Sequence, residues 1–245
     1  MNIEFTNKTV IVTGAAHGFG RAIALAFAQR GALVWACDRL ADELAETARL
    51  CAEAGGDCTA RAVDVTDRDA VWAFVREAEA SNPAGRIDIL VNNAGMSPAC
   101  PSHEMSESLF DSVLNLNFKG PFRLASQVAK RMADGEGGSI INISSSGSLV
   151  PLPHVVPYGS AKAAINAMSL SLAHEYAPKV RVNTICPGPF LTDIAEAWAE
   201  EKRVKQPVAM GRPGYPEEIV TAALMLASPH SSYTTATLVR VDGGQ

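Results

Sequence analysis

The sequence predicts an α/β fold in which a doubly wound parallel sheet of about seven strands is covered by helices on both faces, in three layers. Short apolar, β-branched runs alternate with helical patterns from Thr9 to Val241, and strands that alternate with helices pair in parallel. A glycine-rich turn joins the first strand to the first helix, as is typical of this class. The chain has 245 residues, 47% of them hydrophobic, so we expect one domain over residues 1–245.

The composition argues against several classes of protein. A formal net charge of −5 without a basic run disfavours nucleic acid as a partner. The apolar stretches are too short to cross a membrane, and the first residues lack the basic and then apolar pattern of a signal peptide. The five cysteines do not have metal-ligand spacing. We therefore expect free thiols, a cytoplasmic protein and no metal site.

A candidate nucleotide loop follows the first strand, which is predicted at Thr9–Thr13. The loop runs from Gly14 to Gly20 and leads into a helical pattern from Arg21 to Arg30. This arrangement places phosphates at a helix N-terminus, and glycine lets the backbone approach them closely. The spacing GxxxGxG differs from the more common GxGxxG. An ordinary strand-to-helix turn is the alternative, and we favour nucleotide binding.

An acidic residue, Asp38, ends the second predicted strand, Ala32–Cys37. An acid about 20 residues past the glycine loop bonds the adenosine ribose hydroxyls and repels a 2′-phosphate, which favours NAD over NADP. Arg39 could instead meet a 2′-phosphate, and a protonated His17 could assist. We interpret both as solvated residues, so the negative charge of Asp38 decides the prediction.

The third predicted strand, Cys58–Val65, follows a helix at Ala41–Ala54. From its end, the Asp64 carboxylate could reach an adenine amino group. The alternative is a capping role for the next helix, which is predicted at Asp67–Ala80. Thr66 and Asp69 have the spacing of a capping pair for that helix.

Small and amide side chains follow the fourth predicted strand, Ile87–Val91, in the run Asn92–Gly95. Small residues leave room for a cofactor against the backbone, and asparagine side chains can tie neighbouring strands together. The alternative is a simple turn. The irregular segment Met96–His103 is expected at the carboxyl edge of the sheet, where ligands bind in open α/β folds.

A long amphipathic stretch, Met105–Ala133, contains Asn117. Because asparagine is disfavoured inside helices, we expect a local distortion there that holds a water; a purely structural role is the alternative. The fifth strand is predicted at Gly138–Ile143 and is followed by three serines, Ser144–Ser146. One of these serines could present its hydroxyl to a substrate oxygen.

Tyr158 and Lys162 lie four residues apart at the start of a helical pattern that runs to Tyr176, so they share one face of the helix. An ammonium beside a phenol stabilises the phenolate and lowers the pKa of the tyrosine. Such a phenol can accept a proton from an alcohol or donate one to a carbonyl. By itself, the pair fits a surface position equally well.

The C-terminal third continues the alternation of strands and helices. A sixth strand is predicted at Val180–Ile185, and a rigid turn rich in proline and glycine leads to Thr192, which could bond a carboxamide. A charged helix at Ile194–Lys205 is expected within a lid that spans about residues 190–212. The last elements predicted are a helix at Pro216–Ala227 and a strand at Thr237–Val241.

Taken together, these motifs resemble the short-chain dehydrogenase/reductase family, in its compact single-domain branch with a Rossmann-like fold. The resemblance covers nearly the whole chain and implies hydride transfer between a secondary alcohol and a nicotinamide, without a metal. It implies that Tyr158 is the acid/base, that Lys162 lowers the pKa of Tyr158, and that Ser145 holds the substrate oxygen. It further implies that Asn117 keeps a relay water. The implied cofactor-binding residues are Gly14, His17, Gly18, Phe19, Gly20, Asp38, Arg39, Asp64, Val65, Asn92, Ala94, Gly95, Tyr158, Lys162, Pro187, Gly188, Phe190 and Thr192.

The resemblance also implies a homotetramer built through the two long helices, Met105–Ala133 and Tyr158–Tyr176. Four small residues on the second helix would let a partner helix approach closely, or would only pack in the core of the monomer; they are Ala163, Ala164, Ala167 and Ser171.

For the substrate, few aromatic residues and several polar ones favour a small polar alcohol: a sugar, a polyol, or a sugar acid whose carboxylate meets Lys202 or Arg203. Similarity to bacterial sugar-acid dehydrogenases suggests a 2-keto-3-deoxy sugar acid such as 2-keto-3-deoxy-fuconate. The alternatives are an NADPH-dependent 3-oxoacyl-(carrier protein) reductase and a non-catalytic dinucleotide-binding scaffold. The candidate substrate residues are Ser97, His103, Ser145, Ser146, His154, Val156, Tyr158 and Pro189.

Overall fold

The fold is a three-layer sandwich with a parallel sheet of seven strands at its centre, in the order β3-β2-β1-β4-β5-β6-β7. A computed structural model describes residues 3–193, 195 and 198–245. The architecture confirms the predicted doubly wound α/β fold. The strands are β1 Thr9–Thr13, β2 Leu33–Asp38, β3 Asp57–Ala62, β4 Ile89–Asn92, β5 Gly138–Ile143, β6 Val180–Pro187 and β7 Leu238–Val241.

The helices lie in two layers because the central strands are apolar on both faces. One layer packs α1, α2 and α8 on the sheet around Phe27 and Leu44. The other layer packs α3, α5 and α6 around Phe74 and Leu124. The helices are α1 Gly18–Ala28, α2 Ala41–Glu53, α3 Arg68–Ser81, α4 Glu107–Leu114, α5 Gly120–Asp134, α6 Val156–Glu175, α7 Glu200–Val204 and α8 Val220–Ala227.

The strand order reverses direction at β1, which pairs in parallel with β2 on one side and with β4 on the other. Connections leave these strands in opposite directions, so a crevice opens beyond their carboxyl ends. Every strand pair in the sheet is parallel. The loops after β1, β2, β4, β5 and β6 therefore meet at one edge, which is where the predicted site residues lie.

The third strand and the long helix that contains Asn117 differ in extent from their predictions. Strand β3 ends at Ala62 rather than Val65, since the chain turns at Asp64 to enter α3. The predicted helix Met105–Ala133 is interrupted by a π-helical segment, Asn115–Lys119, between α4 and α5. That segment contains Asn117 and confirms the expected local distortion.

The described part of the segment predicted as a lid is less helical than predicted. Only Glu200–Val204 forms an α-helix in the described part of residues 194–205, and the start of the predicted helix at Ile194 lies outside the described residues. Within the described ranges, no helix has the length and apolar character needed to cross a bilayer. The same part of the chain holds no cluster of three or more His, Cys, Asp or Glu side chains suited to a metal ion.

Candidate active site

The glycine loop turns tightly between β1 and α1. Gly14 has φ +65°, and a Cβ there would lie 2.8 Å from the Cα of Ala94; a Cβ on Gly20 would lie 2.0 Å from the carbonyl oxygen of Gly14. A side chain at either position would therefore clash with backbone. His17 is the N-cap of α1, and its side chain accepts no hydrogen bond from the N–H groups of the first turn. This arrangement fits the diphosphate of a dinucleotide.

Asn93 ties the glycine loop to the end of β4. Its Nδ2 donates to the carbonyl oxygens of Thr13 and Gly14, each at 3.0 Å. The Thr13 hydroxyl oxygen accepts from the backbone N–H groups of Asn93 and Ala94. The prediction named Asn92 for the cofactor, but its buried side chain donates to Asn142 Oδ1 at 2.9 Å. The side chain of Asn92 thus ties β4 to β5, and only its main chain could serve the crevice.

Asp38 stands at the carboxyl end of β2, next to the glycine loop. Its Oδ2 accepts from the backbone N–H of Ala16 at 3.2 Å, and its Oδ1 accepts from that of Leu40 at 3.1 Å. These bonds hold the carboxylate where the ribose of an adenine nucleotide would lie in this fold. Arg39 is exposed beside it.

Arg21 and Thr47 support the loop from behind, and the sequence interpretation missed both. The Thr47 hydroxyl donates to the carbonyl oxygen of Ala15 at 2.8 Å, and Arg21 Nε donates to Thr47 Oγ1 at 3.0 Å. Arg21 also donates to the carbonyl oxygen of Ala16. Only the position of Arg21 directly after the last glycine of the motif could have indicated this role.

Asp64 is exposed just after β3, and its contact with adenine stays a prediction. Its Oδ1 accepts from the backbone N–H and the hydroxyl of Thr66, at 2.8 and 2.7 Å. The N-cap of α3 is Asp67, which accepts from Asp69 N and Ala70 N, so the predicted capping pair of Thr66 and Asp69 is wrong. The Val65 side chain is buried in the core, which leaves its main chain to face the crevice.

Asn117 and Gly95 pack together at the base of the site. Asn117 is fully buried; its Nδ2 donates to the carbonyl oxygens of Met96 and Val113, each at 2.9 Å, and its Oδ1 accepts from Met96 N at 3.2 Å. A Cβ on Gly95 would lie 2.7 Å from Asn117 Oδ1 and 3.5 Å from Lys162 Nζ. The π-helical segment thereby fixes the loop after β4 beside Lys162. The predicted relay water stays a prediction.

Ser145 lies two residues after β5, and its hydroxyl oxygen accepts from the backbone N–H of Gly147 at 3.1 Å. Because a hydroxyl carries one proton, that proton remains available for another acceptor. The neighbouring Ser144 hydroxyl is engaged differently, since it donates to the carbonyl oxygen of Lys162 at 3.0 Å. Ser145 is thus the serine whose hydroxyl can face a reacting oxygen.

Tyr158 and Lys162 share one face of α6, as predicted. Lys162 Nζ lies 5.7 Å from the centroid of the Tyr158 ring and donates to the carbonyl oxygen of Ile143 at 2.8 Å. Burial lowers the pKa of Lys162 to about 8. Burial also raises the pKa of Tyr158, and a hydrogen bond with Ser145 opposes that rise. The direction of the Tyr158 shift is thus set by burial, and Lys162 is not among the groups that shift the pKa of Tyr158.

The segment after β6 forms the opposite wall of the crevice. The backbone N–H of Gly188, directly after Pro187, bonds the carbonyl oxygen of Val241 at 3.0 Å. Thr192 Cγ2 lies 3.4 Å from the Cβ position of Gly18. A cavity of about 270 Å³ opens there, with charged and polar walls; its lining residues are Gly18, Leu191, Thr192, Asp193, Ala195, Arg203 and Pro216.

Two side-chain contacts join this wall to the glycine loop. His17 Nδ1 pairs with the Asp193 carboxylate across the crevice. The rings of Phe19 and Phe190 meet edge to face, with centroids 4.9 Å apart. Phe190 is buried in the core, so its side chain supports Phe19, and its contact with the cofactor stays a prediction.

The candidate substrate residues are only partly brought together. His154 has φ +67°, and its carbonyl oxygen accepts from Cys100 N at 2.7 Å, which ties the loop after β4 to the loop before α6. Ser146 is buried directly after Ser145. His103 was predicted as a candidate substrate residue, but its side chain is 83% exposed beside Glu104. Ser97 and Pro189 are partly exposed, while Val156, Lys202 and Arg203 are exposed.

Comparison with known proteins identifies the family. The family profile described as short chain dehydrogenase matches residues 8–203. The chain therefore belongs to the short-chain dehydrogenase/reductase family and is an oxidoreductase that acts on alcohol groups.

Several relatives match over nearly their whole length. A D-threitol dehydrogenase of Mycolicibacterium smegmatis is 40% identical over 99% of this chain and 94% of its own. A 3-oxoacyl-(acyl-carrier-protein) reductase of Thermotoga maritima is 36% identical over 99% of both chains. An NAD-dependent glycerol dehydrogenase of Listeria innocua is 35% identical over 99% of this chain and 95% of its own.

Among solved structures, a 7α-hydroxysteroid dehydrogenase complexed with NADH and 7-oxo glycochenodeoxycholic acid superposes with a TM-score of 0.93. It is 33% identical, over 99% of this chain and 96% of its own. Members of this family bind a nicotinamide cofactor, and in this chain the Ser145, Tyr158 and Lys162 side chains lie at the crevice beyond the switch point.

Proposed function

We propose that the protein is an NAD-dependent dehydrogenase that oxidises a secondary alcohol of a small, polar, polyol-like substrate, with Tyr158 as the general base. The observation that carries the proposal is the arrangement of Ser145, Tyr158 and Lys162 at the crevice. Ser145 is bonded to Tyr158 and accepts from the backbone N–H of Gly147, so a substrate oxygen that binds between the two side chains would take over the hydroxyl proton of Ser145. The full set of acid/base groups speaks against a non-catalytic scaffold.

The proton path runs through these side chains. The alcohol proton passes to the Tyr158 oxygen while the Ser145 hydroxyl donates to the developing alkoxide or ketone oxygen. A bound, oxidised nicotinamide would supply the hydride acceptor, and its positive charge would favour the Tyr158 phenolate. Lys162 is held in place by Ile143 and keeps an ammonium within the low-dielectric site. Reduction of the ketone uses the same groups in the reverse order.

The preference for NAD is supported by Asp38. Its carboxylate is fixed by two backbone N–H groups beside the glycine loop, and a fixed negative charge there repels a 2′-phosphate. Arg39 is the competing feature, since an exposed cation could pair with that phosphate. We assign the preference to Asp38 because its position is fixed by hydrogen bonds.

The polyol class is supported by two relatives, a threitol dehydrogenase and a glycerol dehydrogenase. Within this class we propose a sugar acid, for instance a 2-keto-3-deoxy acid, whose carboxylate meets a cation of α7. Arg203 lines the cavity beside Thr192, and it is therefore the cation of α7 that we propose for binding this carboxylate. Reduction of a 3-oxoacyl carrier protein is the second candidate, favoured by the Thermotoga maritima relative.

The homotetramer is also proposed. The helix face formed by Ala163, Ala167 and Ser171 is exposed, so these small residues do not pack in the core of the monomer. Phe110 and Phe122, which flank the π-helical segment, are 40% and 48% exposed. Small residues beside large exposed apolar ones suit contact with a second copy.

The test is an assay of the purified protein with NAD and, separately, NADP, against threitol, glycerol, other polyols and 2-keto-3-deoxy sugar acids. Reduction of 3-oxoacyl thioesters with NADH and NADPH is measured in parallel. We expect alcohol oxidation with NAD as the preferred cofactor. A strong NADPH preference together with thioester reduction would replace the proposal by the second candidate.

A further inference from the structure

Ser148 makes several hydrogen bonds close to Ser145, the serine proposed to contact the substrate. Its hydroxyl donates to the carbonyl oxygen of Ser145 at 2.6 Å, and its backbone N–H donates to the same oxygen at 2.9 Å. The hydroxyl and the backbone N–H of Ser148 thus both hold the carbonyl group of Ser145 in place. Ser148 lies in a short 3₁₀ turn, Ser146–Ser148, which follows β5.

Asn166 links Ser148 to helix α6, which carries Tyr158 and Lys162. It lies on α6, one turn beyond Lys162, and its Nδ2 donates to Ser148 Oγ at 2.9 Å. Because the single hydroxyl proton of Ser148 goes to the Ser145 carbonyl, Ser148 Oγ is the acceptor for Asn166. The bonds therefore run in one direction, from the Asn166 amide through the Ser148 hydroxyl to the Ser145 main chain.

The surroundings make the pair sensitive to change. Cys186 Sγ on β6 lies 4.0 Å from Ser148 Oγ. Asn166 Oδ1 is buried, with no hydrogen-bond partner among the described residues. Removing the Ser148 hydroxyl would therefore leave Asn166 without the acceptor for Nδ2 as well, and a buried unpaired donor is unfavourable.

We propose that Ser148 and Asn166 are positioning residues, which hold Ser145 so that its hydroxyl faces Tyr158 and the substrate oxygen. This inference rests on the proposed function. Neither residue touches the reacting atoms; each acts through the main chain of Ser145. The bond from Asn166 sets the end of β5 relative to α6, and thereby the placement of Ser145 relative to Tyr158.

The kinetic test compares Ser148→Ala, Asn166→Ala and the double variant with Ser81→Ala, an exposed serine at the end of α3. We expect kcat to fall about 10-fold in each single variant, with an unchanged KM for NAD, since small displacements of a catalytic group are costly. The double variant should lose no more than either single one, because the two residues act as one unit. The rising limb of kcat/KM against pH should move to higher pH, since Ser145 lowers the pKa of Tyr158.

A second readout needs no turnover. Hydrogen–deuterium exchange of the segment 143–150 should be faster in Ser148→Ala and Asn166→Ala than in wild type and Ser81→Ala. Folded variants with kcat within twofold of wild type, a double variant whose losses multiply, or unchanged exchange would each overturn the inference. A wild-type protein without activity would instead remove the proposed function, while the exchange experiment still decides whether the pair holds the serine.

Discussion

Lys162 Nζ donates a hydrogen bond of 2.8 Å to the main-chain carbonyl oxygen of Ile143, at the end of β5. This bond fixes α6 to the strand that leads into Ser145. The same ammonium lies 5.7 Å from the centroid of the Tyr158 ring. The buried charge is unfavourable for the folded chain, and its pKa of about 8 is well below the ordinary 10.5.

This buried ammonium predicts a pH-dependent difference between wild type and Lys162→Met. Below pH 8, Lys162 is charged in both the folded and the unfolded chain, and the full penalty persists. Between pH 8 and 10.5 only the unfolded chain holds the proton, so the stability of wild type rises with pH relative to the variant. The shift corresponds to roughly 3 kcal/mol over that window.

Chemical denaturation of both proteins at several pH values measures this difference. We expect the advantage of Lys162→Met to be largest near neutral pH and to shrink steadily above pH 8. An advantage that stays constant with pH would show that the Lys162 pKa is not lowered. Other groups that titrate in this window are common to both proteins, so their contributions cancel.

Asp38 should control the choice between NAD and NADP. Asp38→Ser removes the negative charge and keeps a hydrogen-bond acceptor for Ala16 and Leu40. We expect the ratio of kcat/KM with NADP to that with NAD to rise at least tenfold, about 1.4 kcal/mol. Asp42→Asn, an exposed position nearby on α2, is the control and should leave the ratio unchanged. If this ratio is unchanged in Asp38→Ser, residues other than Asp38 must determine the preference for NAD.

Gly95 should tolerate no side chain. The methyl group of Gly95→Ala would lie 2.7 Å from Asn117 Oδ1 and close to Lys162 Nζ, so the π-helical segment or the ammonium must move. We expect kcat to fall at least tenfold in a folded protein, by analogy with other small displacements of catalytic groups. Gly135→Ala is the matched control, because its Cβ has no atom nearer than 3.5 Å. Full activity of Gly95→Ala would contradict the close packing of Gly95 against Asn117 and Lys162.

The exposed face of α6 should be a subunit contact. Ala167→Arg places a long charged side chain among Ala163 and Ser171, and it should convert the tetramer into smaller species. Light scattering coupled to size-exclusion chromatography measures the mass. Ala54→Arg, an exposed alanine after α2, is the control and should remain tetrameric. A monomeric wild type, or an unaffected Ala167→Arg, would refute this interface.

The sequence was sufficient for features with a local cause. Strand β1 was predicted with its observed limits because five apolar or β-branched residues stand before a glycine. The distortion at Asn117 followed from the poor fit of asparagine in a helix. The family resemblance then located Ser145 and Tyr158, which the structure places at one crevice.

Features that depend on distant parts of the chain could not be predicted in the same way. Thr47 supports the glycine loop across 32 residues, and Asn93 bonds the loop across 79. The Asp64 carboxylate turns back on Thr66, which no pattern in β3 indicated. The pairing of His17 with Asp193 depends on where the loop after β6 lies. The sign of the Tyr158 pKa shift depends on burial.

Tyr158→Phe tests the central claim most directly, through the initial rate of NAD reduction with the best polyol substrate. The variant lacks only the phenolic oxygen, so NAD binding followed by fluorescence should be retained. We expect the rate to fall by at least two orders of magnitude, the usual contribution of a positioned general base. Tyr176→Phe, at the far end of α6, should keep wild-type activity. A Tyr158→Phe protein that binds NAD and oxidises the substrate at the wild-type rate would contradict the account.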